Sequence, residues 1–128
     1  MSGWGNEPAE SQVLCRIEEG VALVTLNRPD RMNAWTPAMG TRYFDILDEL
    51  ARNPVVRAIV VTGAGRAFCA GADGSGLGDL ASEGKLSQAR EPRPYWHPMR
   101  IAKPTVAAIN GACMGVGLQQ ALCCDLSL

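Results

Sequence analysis

Two glycine-rich stretches, about forty residues apart, could do chemistry with their backbones alone. The first covers residues 66–73 (RAFCAGAD) and the second covers residues 110–117 (NGACMGVG), and each follows an apolar, strand-like run. Small residues let a chain turn sharply and approach a ligand atom closely. When two strands deliver such turns to the same end of a sheet, two N–H groups can bind one oxygen and form an oxyanion hole. The pattern indicates carbonyl chemistry through an enolate or a tetrahedral oxyanion.

Other kinds of site fit this chain poorly. After Gly63 and Gly65, Phe68 stands where a dinucleotide-binding loop has its third glycine, and no phosphate loop of the Gly-Lys-Ser/Thr type occurs. His97 is the only histidine and the five cysteines lack metal-ligand spacing, so we expect no metal site. We interpret the cysteines as small buried residues in a reducing compartment. Neither glycine turn contains a serine that could act as a nucleophile.

Composition places the chain among ordinary soluble proteins. Its 128 residues are 47% hydrophobic and 20% charged, which suits one domain with a modest core. A formal charge of −1 argues against nucleic acid as a partner, and no apolar run reaches the roughly 18 residues of a membrane span. Residues 1–12 lack the basic and apolar parts of a signal peptide, so we expect a flexible N-terminal tail and a cytoplasmic location.

The elements around these turns follow a strand–helix–strand order. Residues 13–27 contain two β-rich runs joined by a hairpin signal at residues 18–20, and the apolar second run is expected to be covered on both faces. A cap at Thr36 predicts an amphipathic helix that ends at Asn53. An apolar strand over residues 58–62 then leads into the first glycine turn. This order predicts a layered α/β architecture.

The second half of the chain resumes this alternation after a break. Residues 74–98 are rich in glycine and proline and have no sustained periodicity, which is typical of a functional lid or a disordered loop. A strand over residues 105–109 leads into the second glycine turn, and a helix over residues 118–124 follows. Residues 125–128 begin another strand for which no later partner is supplied, so we expect a fragment of a larger domain. The acidic pair at residues 48–49 is expected to be solvated helix surface.

Three stretches of the chain resemble the enoyl-CoA hydratase/isomerase family, also called the crotonase superfamily, and they occur in the family's order. They are residues 21–29 (VALVTLNRP) with 32–34 (MNA), residues 60–63 (VVTG) with 67–73 (AFCAGAD), and residues 103–111 (KPTVAAING) through 115–117 (GVG) to 124–125 (CD). Family chains are much longer, so the resemblance covers only the N-terminal half of the family's domain. It implies that residues 13–128 are the N-terminal part of a single crotonase-like domain. That domain is an α/β, ClpP-like spiral of repeated ββα units, truncated in this chain.

The resemblance also implies an activity on acyl-CoA thioesters. A thioester enolate would be stabilised in the backbone oxyanion hole, and the reaction would be hydration of a 2-enoyl-CoA to a 3-hydroxyacyl-CoA in fatty acid metabolism, a lyase reaction. Coenzyme A would enter as part of the substrate, so no separate cofactor is expected, and neither nucleic acid nor a membrane is expected as a partner. At full length, the resemblance implies a homotrimer or hexamer.

Individual residues receive roles from the same resemblance. The N–H groups of Ala70 and Val116 would form the oxyanion hole, and Arg28 or Arg31 would reach the coenzyme A phosphates. Further contacts with the substrate would come from Met32, Ala34, Gly71, Ala72, Asp73, Trp96 and Gly115. Asp73 is expected chiefly to cap or brace its loop.

Gln119 departs from the pattern of the family's hydratases. That position carries a glutamate that handles the water molecule, together with a second glutamate further along the chain. A glutamine amide donates and accepts hydrogen bonds but takes up no proton near neutral pH, so Gln119 cannot be a general base. It could still orient a water or a substrate group. The alternatives to hydration therefore stay open: an enoyl-CoA isomerase, or a catalytically impaired member that binds acyl-CoA.

Overall fold

The computed structural model describes residues 7–74 and 92–128. In chain order the elements are α1 (Ala9–Gln12), β1 (Val13–Glu18), β2 (Val21–Leu26), a 3₁₀ turn (Pro29–Arg31), α2 (Pro37–Arg52), β3 (Ala58–Gly63), β4 (Ala67–Cys69), a second 3₁₀ turn (His97–Arg100), β5 (Thr105–Ala107), β6 (Ala112–Cys113), α3 (Val116–Leu122) and β7 (Leu126–Ser127). None of the described helices has the length and apolarity needed to cross a membrane.

Five strands form the main sheet in the order β1-β2-β3-β5-β7. β1 and β2 are an antiparallel hairpin, whereas β2, β3, β5 and β7 run parallel. The hairpin turn has φ values of 51° at Glu19 and 82° at Gly20, which suit the twist of a two-residue connection. The predicted hairpin and the α/β order are confirmed. The last strand, β7, pairs on one side with the earlier strand β5, where Ser127 lies opposite Ala107, and no later strand adjoins it in the described structure.

Helix α2 provides most of the cover for one face of this sheet. It begins as predicted, with Pro37 at its first position and the Thr36 hydroxyl accepting a hydrogen bond from the Met39 amide at 3.0 Å. The buried residues of α2 are Met39, Gly40, Tyr43, Phe44, Ile46, Leu47 and Leu50. Their side chains pack in one cluster with the buried residues of β2 and β3, so the helix fixes the strand from which the first glycine turn departs.

The opposite face of the sheet is less well covered. Along β2, Ala22 and Val24 are fully buried, whereas Val21 is 41% exposed and Leu23 is half-buried. The expectation that both faces of this strand are covered was therefore wrong. Successive side chains of a strand point to opposite faces, and in the described structure only the face with Ala22 and Val24 joins the core around α2.

A small second sheet carries the glycine turns. Its two strands, β4 and β6, are parallel neighbours, although neither adjoins the main sheet in the strand order. β5, β6 and α3 follow one another as a ββα unit, which is the repeat expected of a crotonase-like spiral. Strand pairs this short carry no clear periodicity, so the sequence predicted turns here rather than strands.

The segment before β1 is docked rather than loose. Gln12 is 2% exposed, its carbonyl accepts a hydrogen bond from the Asn27 amide at 2.8 Å, and its side-chain oxygen accepts one from the Thr36 hydroxyl at 2.5 Å. The prediction of a flexible tail through residue 12 was therefore wrong for residues 9–12, which form α1 and pack beside the start of α2. Residues 1–6 lie outside the described structure.

Candidate active site

The small sheet brings the two glycine turns together. Cys69 at the end of β4 lies opposite Cys113 at the end of β6, and the Met114 amide donates to the Cys69 carbonyl at 3.0 Å. A Cβ atom on Gly117 would collide with that carbonyl and with the Cys69 side chain. Only glycine therefore lets the first turn of α3 approach β4 this closely.

The tips of the two turns are in contact. A Cβ atom on Gly115 would lie 3.4 Å from the Cα of Gly71, and one on Gly71 would lie 3.5 Å from the Met114 carbonyl oxygen. Both glycines have positive φ, 114° at Gly71 and 55° at Gly115, a conformation that other residues rarely adopt. The structure thus brings both turns to one place, as the sequence predicts.

The Ala70 amide is already engaged inside the protein. It donates to the Met32 carbonyl at 3.1 Å, so this amide does not face a substrate oxygen. The assignment of Ala70 to the oxyanion hole is therefore corrected. The residue that offers a donor on this turn is Ala72, whose N–H has no acceptor within residues 7–74 and 92–128.

Pairing with Trp35 sets the direction of the Ala72 amide. Trp35 forms a parallel bridge with Ala72, in which the Trp35 amide donates to the Gly71 carbonyl at 2.7 Å and the Asp73 amide donates to the Trp35 carbonyl at 2.8 Å. In this parallel pattern Trp35 bonds the residues on either side of Ala72, so the N–H of Ala72 itself faces away from Trp35. Ala72 is exposed in the described structure, so a ligand can approach this turn.

The second turn offers the Val116 amide, as predicted. Val116 is the first residue of α3, where helix amides have no acceptor within the helix. The next three amides of the helix donate to the carbonyls of Met114 and Gly115 at 2.9 to 3.4 Å. In the described part of the chain the Val116 N–H has no acceptor. Two unengaged donors, at Ala72 and Val116, thus stand on turns that touch, and two such donors can stabilise negative charge on one carbonyl oxygen.

Arg28 lies inside the protein. Its side chain is fully buried, and Nη1 donates to the Ala34 carbonyl at 2.6 Å and to Asp73 Oδ2 at 3.1 Å, while Nε lies 3.5 Å from Glu7 Oε1. A guanidinium held in this way is not presented to a phosphate, so the expected contact of Arg28 with coenzyme A is corrected. Arg31, which is exposed on the 3₁₀ turn of the same loop, is the remaining candidate for that contact.

Asn33 holds the loop that contains Arg31 and Met32. It is fully buried with a φ of 55°, its Oδ1 accepts from the Arg28 amide at 2.7 Å, and its Nδ2 donates to the Ala67 carbonyl at 2.8 Å. The sequence pattern alone assigns Asn33 no role. The available signal is that asparagine is among the few residues that readily adopt the left-handed conformation.

Two neighbouring glutamines on α3 differ in their surroundings. Gln119 is exposed, and its side chain has no hydrogen-bond partner among the residues that the structure describes. Gln120 is 1% exposed, and its Nε2 donates to the Tyr95 carbonyl at 3.0 Å. Gln119 is therefore free to contact a water or a ligand, whereas Gln120 fixes α3 to the segment around Tyr95.

Residues 92–100 are tied to α2 by charged groups. His97 Nε2 lies 2.7 Å from Asp48 Oδ1, and Arg93 contacts Asp48 at 3.0 Å and Asp45 at 2.7 Å. Burial raises the pKa of Asp48, but hydrogen bonds from His97 and Arg93 outweigh burial, so the pKa lies below its usual value. Asp48 is thus a partner of this segment and not merely solvated surface. Sequence spacing gave no signal for contacts between groups so far apart in the chain.

Trp96 lies at the surface beside this anchor. The residue is 47% exposed, and the Arg100 guanidinium lies over its ring, 4.7 Å from the ring centroid. Its role in the wall of an acyl pocket stays a prediction. Most of the predicted lid, residues 75–91, lies outside the described structure.

No group of three or more His, Cys, Asp or Glu side chains forms a candidate metal site within residues 7–74 and 92–128. The five cysteines are free thiols, of which Cys69 is buried and Cys15 is exposed, so the interpretation as buried residues holds fully only for Cys69. Burial raises the pKa of Cys69 and raises that of Cys124 to about 11. Both thiols therefore stay protonated near neutral pH and are poor nucleophiles.

The chain is similar to many proteins of one family. The sequence profile described as Enoyl-CoA hydratase/isomerase matches residues 16–128. The probable enoyl-CoA hydratase EchA14 of Mycobacterium tuberculosis is 44% identical over 91% of this chain and 46% of its own length. The hydroxycinnamoyl-CoA hydratase-lyase of Pseudomonas fluorescens is 35% identical over 91% and 44%, and the 1,2-epoxyphenylacetyl-CoA isomerase of Escherichia coli is 30% identical over 89% and 45%. The chain thus spans about half the length of the curated relatives it matches.

Solved structures show the same relationship. An enoyl-CoA hydratase from Mycobacterium marinum aligns with a TM-score of 0.73 at 39% identity, over 92% of this chain and 50% of that one. A monofunctional enoyl-CoA isomerase from Mycobacterium smegmatis aligns with a TM-score of 0.71 at 35% identity, over 92% and 49%. With its α/β fold and ββα unit, the chain belongs to the enoyl-CoA hydratase/isomerase family, the crotonase superfamily, and corresponds to the N-terminal half of its relatives.

Proposed function

We propose that the protein binds acyl-CoA thioesters and polarises the thioester carbonyl between the amides of Ala72 and Val116. One observation carries the proposal: the turns that bear these amides touch, and neither amide has an acceptor in the described structure. Preorganised donors favour an enolate oxygen over a neutral carbonyl, and each is worth about 10²–10³ in kcat. The family's relatives support the choice of substrate, because several are named for coenzyme A thioesters.

Hydration of a 2-enoyl-CoA to a 3-hydroxyacyl-CoA is the reaction we propose first. Water adds its oxygen to C3, and negative charge passes through C2 to the thioester oxygen, where the two amides hold it. A proton then reaches C2. Gln119 lies exposed three residues after Val116, so its amide can orient the water. It cannot take the water's proton, so hydration needs a general base other than Gln119.

Isomerisation is the second candidate, and Gln119 is the observation that favours it. Moving a double bond from C3 to C2 requires removal of a proton from C2 and its return at C4, through the same enolate. No water has to be activated, so an amide at position 119 is less damaging to this reaction. Relatives named as isomerases, from Escherichia coli and Mycobacterium smegmatis, agree with this alternative. A member that only binds acyl-CoA is the third.

The experiment offers the complete protein a 2-enoyl-CoA and a 3-enoyl-CoA in deuterium oxide and follows products by mass spectrometry and NMR. A 3-hydroxyacyl-CoA indicates hydration, and a shifted double bond indicates isomerisation. Deuterium at C2 of an otherwise unchanged 3-enoyl-CoA shows enolate formation alone. Tight binding without any of these would favour the binding-only member. Failure to bind acyl-CoA would contradict the proposal.

We further propose that the complete protein acts in fatty acid metabolism in the cytoplasm and assembles as a homotrimer or hexamer, as the family resemblance implies. Exposed apolar side chains, such as Leu122 at 74% and Leu126 at 66%, support burial of this surface by further protein. Sedimentation of the complete protein tests the assembly, and a stable monomer would contradict it.

A further inference from the structure

We infer that Arg28 and Asp73 are positioning residues for the Ala72 amide. Their buried ion pair holds together the two segments whose pairing directs that amide towards a substrate carbonyl. This inference rests on the proposed function of Ala72 as an oxyanion donor. Arg28 would thus act on the reaction by positioning the Ala72 amide. Its burial excludes the expected contact with coenzyme A.

The contacts of Arg28 bracket the bridge between Trp35 and Ala72. Nη1 of Arg28 donates to the carbonyl of Ala34, the residue before Trp35, at 2.6 Å. The same nitrogen donates to Oδ2 of Asp73, the residue after Ala72, at 3.1 Å. One planar group therefore fixes the neighbours of both bridged residues, and the bridge determines which way the Ala72 N–H faces.

Arg28 is itself held by the rest of its loop. Its amide donates to Asn33 Oδ1 at 2.7 Å, and its carbonyl accepts from the amides of Arg31 and Asn33 at 2.9 Å each. Asn33 in turn donates to the Ala67 carbonyl in β4 at 2.8 Å. Through Asn33, the ion pair is therefore connected to the small sheet that brings the two glycine turns together.

Gly71 explains why an external brace is needed. It directly precedes Ala72, has a φ of 114°, and as glycine imposes little conformational preference of its own. The direction of the Ala72 amide is then set by the bridge, in which Trp35 binds the Gly71 carbonyl and the Asp73 amide, and Arg28 holds the two segments of that bridge together. An error of about 1 Å in the position of a catalytic group can cost about 10²-fold in rate.

Burial of the charges agrees with a positioning role. The Arg28 side chain is 0% exposed and that of Asp73 is 6% exposed. Taking two charges out of water is costly, and an apolar pair of similar size is often at least as stable, so such a pair is weak support for a purely stabilising function. Unlike an apolar contact, the hydrogen bonds of this ion pair fix the orientation of the groups they join, and an oxyanion donor must be held in a fixed orientation.

The test compares Arg28→Met, Arg28→Lys, Asp73→Asn and the double variant Arg28→Met/Asp73→Asn in the complete protein. For each variant, kcat and KM are measured at a temperature at which circular dichroism shows that the variant is folded. We expect kcat to fall at least about tenfold in the single variants with little change in KM, partial recovery in Arg28→Lys, and a double variant no worse than the poorer single one. A variant that only lost stability would not show a lower kcat with an unchanged KM while it remains folded.

Lys103→Met is the matched control for loss of a partly buried cation. The Lys103 ammonium donates to the Leu50 and Asn53 carbonyls at the C-terminal end of α2, whose 16 residues place it about 24 Å from the Trp35 end. Lys103→Met should lower the melting temperature and leave kcat unchanged. A fall in kcat shared by Lys103→Met, or a wild-type kcat in both Arg28→Met and Asp73→Asn, would overturn the inference.

A chromophoric thioester separates this inference from the proposed function. 4-Dimethylaminocinnamoyl-CoA absorbs at longer wavelength when its carbonyl is polarised by hydrogen bonds. The wild-type protein should shift the absorbance, and Arg28→Met and Asp73→Asn should bind the probe with a smaller shift. A bound probe with no shift in the wild-type protein would contradict the proposed oxyanion hole. A full shift in both variants would contradict only the positioning role.

Discussion

Replacing Val116 by proline removes one proposed oxyanion donor with little other change. Val116 is the first residue of α3 and its N–H has no acceptor in the described structure, so no internal hydrogen bond is lost. Proline is favoured at this position because its fixed φ suits the start of a helix. Loss of one donor to a developing oxyanion costs about 2.7–4 kcal/mol, so kcat should fall about 10²–10³-fold.

Val116→Ala is the matched control, because it trims the half-buried side chain but keeps the N–H. Steady-state kinetics of both variants in the complete protein, with circular dichroism and melting curves, separate the two effects. We expect Val116→Ala to retain nearly wild-type kcat and Val116→Pro to lose it while staying folded. Equal kcat values in the two folded variants would refute the assignment of this amide to the oxyanion hole.

Three further predictions concern other groups. Gln119→Glu supplies a group that can exchange a proton and should raise hydration of a 2-enoyl-CoA, since a missing general acid or base costs about 10²–10⁴-fold; an unchanged rate with substrate still bound would give this position another role. Arg31→Met should raise KM for an acyl-CoA but not for the acyl-pantetheine, which lacks the nucleotide phosphates; equal effects on both would remove Arg31 from phosphate binding. Burial raises the pKa of Asp48, but His97 and Arg93 lower it by more, so the folded pKa lies below the unfolded value of about 3.9. The contribution of Asp48 to stability is therefore present above the unfolded pKa and is lost as the pH falls through the lower folded value. Asp48→Asn should therefore flatten the fall in melting temperature below about pH 4, and an unaltered acid profile would contradict this ion pair.

Local signals predicted much of the fold. Thr36 is a cap that acts on the amide three residues later, and Gly20 supplies the positive φ that a tight hairpin needs. Each of these signals depends on neighbours within a few residues, so sequence alone reveals it. The contact between the two glycine turns was also predictable, because parallel strands deliver their ends to the same edge of a sheet.

The details of the site depend on pairing between distant segments. The choice between Ala70 and Ala72 as donor depends on Met32, whose carbonyl accepts from the Ala70 amide, and on Trp35, which pairs with Ala72; both lie about 38 residues away in sequence. The burial of Arg28 likewise follows from Asp73, which lies 45 residues further along. An arginine next to a proline in a loop reads as exposed, and only the folded chain shows that its charge is enclosed. The sequence motifs therefore located the two glycine turns but did not show which backbone amides are available as donors.

The most direct test of the oxyanion hole is the carbonyl stretching frequency of a bound substrate. A 2-enoyl-CoA labelled with ¹³C at the thioester carbonyl would be bound to the complete protein and examined by isotope-edited infrared spectroscopy. Two convergent donors at Ala72 and Val116 should lower the frequency relative to the free thioester in water, and Val116→Pro should reverse part of that shift. An unchanged frequency in the bound wild-type complex would contradict the account.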